Sequence, residues 1–128
     1  MPLAYRRDDP NRRIVATGAG TFRAEEALEI FERMRAEGVW TYGALYDLRQ
    51  MTGRPSRSDL ERLLESASRP GPGGEQPGPT AVLAVDPGLY ASACAYSAMG
   101  PPTHFNVFSD RFEAEAWLVT HTAVGPAR

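Results

Sequence analysis

Helical and strand-like periods alternate along this chain, and that alternation limits its folds more than any single motif does. The clearest helical period covers residues 22–37. Ala24, Ala27, Leu28, Phe31 and Met34 recur on one face, and Glu25, Glu29 and Glu32 on the other, with Glu29 four residues before Arg33. Thr21 is placed to cap this helix and Gly38 to close it. Ahead of it, residues 3–6 and 12–17 read as strands joined by the turn formers Arg7-Asp8-Asp9-Pro10-Asn11, and Gly18-Ala19-Gly20 breaks the second strand.

The alternation continues to the end of the chain. Residues 39–48 favour a strand buried on both faces, with Asp47 at its carboxyl end, followed by a loop over 50–57. Ser58 and Glu61 form a capping-box pattern ahead of a helix whose apolar stripe is Leu60, Leu63, Leu64 and Ala67. Residues 69–79 are dense in proline and glycine and read as a mobile surface loop that can be shortened cheaply. A strand over 80–85 leads to Asp86-Pro87, a helix cap followed by proline at the first helical position, and a helix over 88–99. A last strand over 104–108 precedes a helix capped by Ser109 or Asp110, with Ala114, Trp117 and Leu118 facing inward and a tail that frays after residue 122. The order β-β-α-β-α-β-α-β-α predicts one α/β domain over residues 1–128. Its mixed sheet has about five strands, opens with an N-terminal hairpin and carries four helices.

Composition narrows function mostly by exclusion. All 14 basic residues are arginine, so no lysine is present for a phosphate loop of the Walker type, a pyridoxal Schiff base or a kinase site. A net charge of −2 gives no basic excess of the sort that nucleic-acid binders carry. No apolar run approaches the ~20 residues of a membrane span, no signal-like segment opens the chain, and the single cysteine cannot form an internal disulfide. These features predict a cytoplasmic protein. Gly18-Ala19-Gly20 falls short of a dinucleotide fingerprint because Arg23 stands where the third glycine belongs.

The chemistry-bearing residues are few. Asp47, Asp86 and Asp110 fall at the expected carboxyl ends of strands, where open α/β sheets bind ligands, but helix capping accounts for the latter two. His104 and His121 lack a third ligand at metal-like spacing. Cys94, among Ala91, Ala93 and Ala95, reads as a small buried thiol. Arg6, Arg7, Arg12 and Arg13 flank the first turn as a solvated tip. Among Tyr42, Tyr46, Tyr90, Tyr96 and Trp117 most are expected in the core, yet tyrosine also suits a pocket that needs an apolar wall with a polar tip. The small residues of the 88–99 helix allow either tight packing, which is the expected use, or close approach to a bound apolar chain. Asp47, Tyr46, Tyr90 and Tyr96 together mark a candidate ligand or partner surface.

Three segments carry a family resemblance. They are Gly18-Ala19-Gly20-Thr21 with Glu25-Glu26, the strand ending Leu45-Tyr46-Asp47-Leu48, and Val107-Phe108-Ser109-Asp110 followed by Ala114-Glu115-Ala116-Trp117-Leu118. In order and spacing the chain resembles SpoIIAA-like proteins over about residues 3–119, a group related to STAS domains and often likened to lipid-binding domains of the SEC14 type. The resemblance implies a regulatory partner for some members: anti-anti-sigma factors bind a kinase-like protein and are switched at a serine in an Asp-Ser-Ser-Gly-like motif after the third strand. Here that stretch is Arg54-Pro55-Ser56-Arg57-Ser58-Asp59, so Ser56 and Ser58 are the candidate phosphosites, with arginines in place of the acidic and small residues. The expectation is therefore a non-enzymatic binding or regulatory module without cofactor or metal. It would take a protein partner (kinase-like or sigma-regulatory) or a small apolar ligand, and a homodimer is left open. The alternatives are a lipid-binding protein and, from a different class, a hydrolase or other enzyme using the strand-end acids.

Overall fold

The computed structural model describes residues 3–121. The elements are β1 (Ala4–Asp8), β2 (Arg13–Thr21), α1 (Ala24–Ala36), β3 (Gly43–Thr52), α2 (Arg57–Ala67), β4 (Thr80–Leu83), α3 (Pro87–Ala98), β5 (Phe105–Phe108) and α4 (Arg111–His121). The order is the one that the alternation of periods predicts.

One five-stranded sheet runs β1-β2-β3-β4-β5. β1 pairs antiparallel with β2 through the hairpin, and every later pair is parallel. Successive crossovers of one hand that step in one direction put their helices on one face of a sheet. The core follows that rule. Ile14, Ala16, Ala44, Tyr46, Leu48 and Val82 pack with the buried faces of α1, α2 and α3. α4 is not a crossover and covers the other face, where Val15, Leu45, Ala81 and Leu83 meet Ala114 and Leu118. Strand parity sorts the residues: 44, 46 and 48 point one way and 45 the other. Between Thr17↔Asp47 and Ala19↔Gln50, β2 advances two residues (17 to 19) and β3 three (47 to 50), so the register shifts there. The extra residue returns Met51 to the three-helix face, where it is 1% exposed.

Several local expectations change. β2 continues through Gly18-Ala19-Gly20, because Thr21 is still paired with Thr52; Thr21 therefore cannot cap α1, whose N-cap is Arg23 without a side-chain bond. The residues 50–52 expected in a loop are the end of β3. Residues 39–42 are a turn outside the strand, because α1 closes on Gly38 at φ +74° with Gly38 N–H on the Arg35 carbonyl (3.2 Å) and Val39 N–H on that of Met34 (2.9 Å). The capping box sits two residues earlier than expected: the Ser56 hydroxyl accepts from Asp59 N–H (3.0 Å), and Asp59 accepts from Ser56 N–H (3.2 Å). Arg33 pairs with Glu37 in place of Glu29. Ile30 is buried where Leu28 and Phe31 are only partly so, and Trp117 is half-buried. Cys94 is exposed, because α3 buries Leu89, Ser92 and Tyr96 and residue 94 lies on the far side of that helix.

The proline- and glycine-rich loop is held at its ends. Gly71 is buried against Trp40, and Gly78 N–H donates to the Trp40 carbonyl at 3.1 Å. The Thr103 hydroxyl donates to the carbonyls of Pro77 (3.1 Å) and Gly78 (2.6 Å). Glycine is needed at 78, since a Cβ there would collide with the backbone carbonyls of Thr41 and Tyr42. The segment is thus anchored at its two ends, while residues 72–76 between them are exposed. The expected fraying of the tail lies outside the described residues.

Candidate functional site

The two faces of the sheet are filled differently. Under α4 the small Ala81 and Ala114 let helix and sheet meet closely, and Leu45, Leu83, Ala114 and Leu118 are each 0% exposed. Under α1–α3 the packing is incomplete, and a cavity of about 110 Å³ lies between sheet and helices. β3 supplies Ala44, Tyr46 and Leu48 to its wall, α1 supplies Ala27 and Phe31, and α2 supplies Leu60 and Leu63. α3 adds Ser92 and Ala93, whose short side chains leave space unfilled, together with Tyr96. The tied loop contributes Pro77 and Gly78, and the segment ahead of β5 contributes Pro101 and Thr103. No charged side chain belongs to this wall.

Two residues of the wall carry a polar atom that is sealed away and out of place. The Tyr46 hydroxyl and the Trp40 Nε1 are buried and, among the described residues, without a hydrogen-bond partner. A buried donor left unpaired costs about 1–3 kcal/mol. Burial holds the Tyr46 phenol far above its ordinary pKa and pushes that of Tyr96 up to about 12, so both stay protonated donors at neutral pH. Phe31 meets both other rings edge-on, 5.9 Å from Trp40 and 6.5 Å from Tyr46, and fixes their planes. Arg35 stacks on the Trp40 ring at 4.0 Å while its guanidinium engages Glu32 and the Ser66 carbonyl. Tyr42 is different: its hydroxyl donates to Asp9 at 2.8 Å.

The residues that sequence singled out are divided by this geometry. Tyr46 and Tyr96 meet at the cavity, whereas Tyr90 is 38% exposed and absent from its wall. Asp47 lies mid-strand, not at the end of β3, and by parity faces α4. There Arg49 grips its carboxylate with two bonds of 2.9 and 2.8 Å, and Arg111 stands 3.5 Å away. The Arg49 bonds hold its pKa below the ordinary carboxylate range. Asp86 and Asp110 cap α3 and α4 by accepting from Leu89 N–H (3.1 Å) and Glu113 N–H (2.9 Å). Ser56 is the cap of α2, with its oxygen already accepting; Ser58 is exposed in the first turn. The imidazoles of His104 and His121 lie 4.8 Å apart, and that of His121 stacks on Trp117. Trp40 was missed because residues 39–48 read as one strand; Gly38 and Gly43 bracketing the stretch were the signal for a turn that turns the indole inward.

This architecture is that of a SpoIIAA-like α/β fold. A crystal structure of an uncharacterised DUF3478-family protein with a SpoIIAA-like fold, from Shewanella loihica PV-4, is similar to the chain: TM-score 0.57, 18% identity, with 91% of each chain covered. At that identity the likeness concerns the fold. No protein-family model matches the sequence, and the curated proteins include no match. Among the described residues no helix is long and apolar enough to cross a membrane, and no group of three or more histidine, cysteine or acidic side chains could hold a metal ion.

Proposed function

We propose that this protein is a non-enzymatic binding module that holds a small apolar ligand between the sheet and helices α1–α3. The observation that carries the reading is the uncharged cavity of about 110 Å³ in a domain whose opposite face is closely packed. Ligand sites are concave and mostly apolar with a few polar groups, and this wall has that makeup. Catalysis has less support. Asp47, Asp86 and Asp110 are committed to an ion pair and two helix caps, and none belongs to the cavity wall. A lipid tail is one member of the ligand class, which keeps the lipid-binding alternative inside this reading.

The test is a titration with two neutral aromatics, ethylbenzene and acetophenone, followed by two-dimensional ¹H–¹⁵N NMR. Saturable shifts are expected at the amides of Leu48, Leu60 and Ala93, with those of Ala114 and Leu118 unmoved. An absence of saturable shifts with both compounds, or shifts centred on α4, would overturn the reading.

A further inference from the structure

We propose that His104 and His121 form a two-imidazole site for a divalent transition-metal ion of the nickel, copper and zinc group. The site lies on the α4 face of the sheet and is independent of the cavity on the other face. The two residues are the chain's only histidines, and they come from different elements. His104 directly precedes β5, and its carbonyl already accepts from Thr80 N–H at 2.8 Å. Phe105 packs with the α1–α3 cluster and Phe108 with the α4 cluster, so strand alternation turns residue 104 toward α4. There it meets His121 in the last turn of that helix, with the ring centroids 4.8 Å apart.

That separation suits two ligands of one ion. Imidazoles bound through nitrogen at ~2.0–2.1 Å, at an angle between square-planar and tetrahedral, hold their centroids roughly 4.5–5.2 Å apart. His121 is prepared for this by its other nitrogen. Its Nδ1 lies 2.9 Å from the Trp117 carbonyl and 3.0 Å from the Thr120 hydroxyl oxygen, which gives its own proton to that carbonyl at 2.8 Å. Both oxygens can then only accept, so Nδ1 carries the hydrogen and the Nε2 lone pair is left for a ligand. A backbone carbonyl holding the far N–H of an imidazole is the support by which metal-bound histidines fix their tautomer and orientation. Trp117 stacks on the same ring at 4.4 Å and restrains it further. His104 is exposed and, among the described residues, makes no side-chain hydrogen bond, so its ring is free to turn a nitrogen toward the ion. Neutral imidazole nitrogens select nickel, copper and zinc over calcium and magnesium, which take oxygen. Among the described residues no cysteine or carboxylate completes a third position. Water fills the remaining positions, which makes the site open and exchangeable, unlike a closed structural metal site.

Nickel(II) is the probe, because it takes imidazole and is redox-quiet beside the exposed thiol of Cys94. It is added to the untagged chain, with affinity read by calorimetry and location by two-dimensional ¹H–¹⁵N NMR, in which the paramagnetic ion broadens nearby signals. Saturable uptake of one ion per chain is expected. The Trp117 indole N–H should broaden, and that of Trp40, packed on the other face of the sheet, should stay sharp. His104→Ala and His121→Ala should each weaken binding by about tenfold or more. His104 is exposed, so an unchanged urea midpoint for His104→Ala shows that a ligand was lost and not the fold. Cys94→Ser should bind nickel as the parent does, and zinc should displace the nickel and restore the Trp117 signal. No saturable uptake, binding that survives His104→Ala, or broadening centred away from Trp117 would each overturn the proposal. None of these results touches the cavity reading, which stands or falls with the titration of the aromatic compounds.

Discussion

The two faces of the sheet make an instructive pair. Both are covered by helices and lined by residues of the same strands, yet one is filled and the other is not. The α4 face uses alanine where helix and sheet must approach, and its central side chains lose all contact with solvent. The α1–α3 face carries larger groups, including Phe31, Trp40, Tyr46 and Tyr96, and still encloses space. Bulk in a wall does not amount to packing. Three helices that must each follow a crossover are placed by the sheet's topology, whereas α4, free of that duty, can settle as close as its side chains allow.

The largest effect expected from this difference is a disparity between two leucines. Leu118→Ala removes a fully enclosed side chain and should cost toward the upper end of the ~2–5 kcal/mol range for such changes, whereas Leu60→Ala, beside existing empty space, should fall toward the lower end. Urea unfolding of both variants measures this, and equal or reversed costs would break the comparison. A smaller effect concerns added bulk. Ala114→Leu should destabilise by ~1–3 kcal/mol through overpacking. Ala93→Val should be neutral or stabilise by up to ~1 kcal/mol and should weaken binding of the aromatic probes, since it fills the cavity. If Ala93→Val were the more damaging, the cavity would be closed in solution.

The smallest effect lies with Asp47, whose pKa is depressed in the folded protein by Arg49. A group of that kind adds stability above its unfolded pKa of about 3.9, and the contribution is lost as pH falls through the folded value. Asp47→Asn should therefore lower stability at pH 7 by less than ~1 kcal/mol, the range for ion pairs near the surface. The gap between variant and parent should close below pH ~4. A gap that does not narrow at all as pH is lowered from 7 to 2 would show that the asparagine disturbs packing on the α4 face, and the ion pair would not be its cause.

The fold was legible because periodicity and punctuation agree: apolar spacing marks the helices, and Asp86-Pro87 and Gly38 mark ends that the chain uses. The boundaries that shifted did so where tertiary pairing overruled local signals. The Gly18-Ala19-Gly20 stretch looks like a break, but pairing with β3 carries the strand through it. Ser56 displaces Ser58 as cap because Asp59 is in reach to return the bond. The site was half legible. Tyr46 and Tyr96 carry a polar tip that draws attention, but nothing local says that Asp47, next to Tyr46, faces the opposite side until the strand is placed. A cavity is a deficit of volume shared among several elements, and no one segment of sequence records it.

The joint made by Gly78 has a bearing on how such a domain could diversify. Its N–H is held by Trp40 and its carbonyl by Thr103, two residues before β4 begins, so a stretch of cavity wall and the start of a strand are anchored together. Residues 72–76 lie upstream of that anchor and are exposed. Insertions there should be absorbed without disturbing the chamber, whereas a single residue added between Gly78 and Thr80 would slide the wall and the strand register at once. A lineage retuning what it binds would thus find its freedom in the side chains of α3, and its constraint in two residues of an otherwise permissive loop.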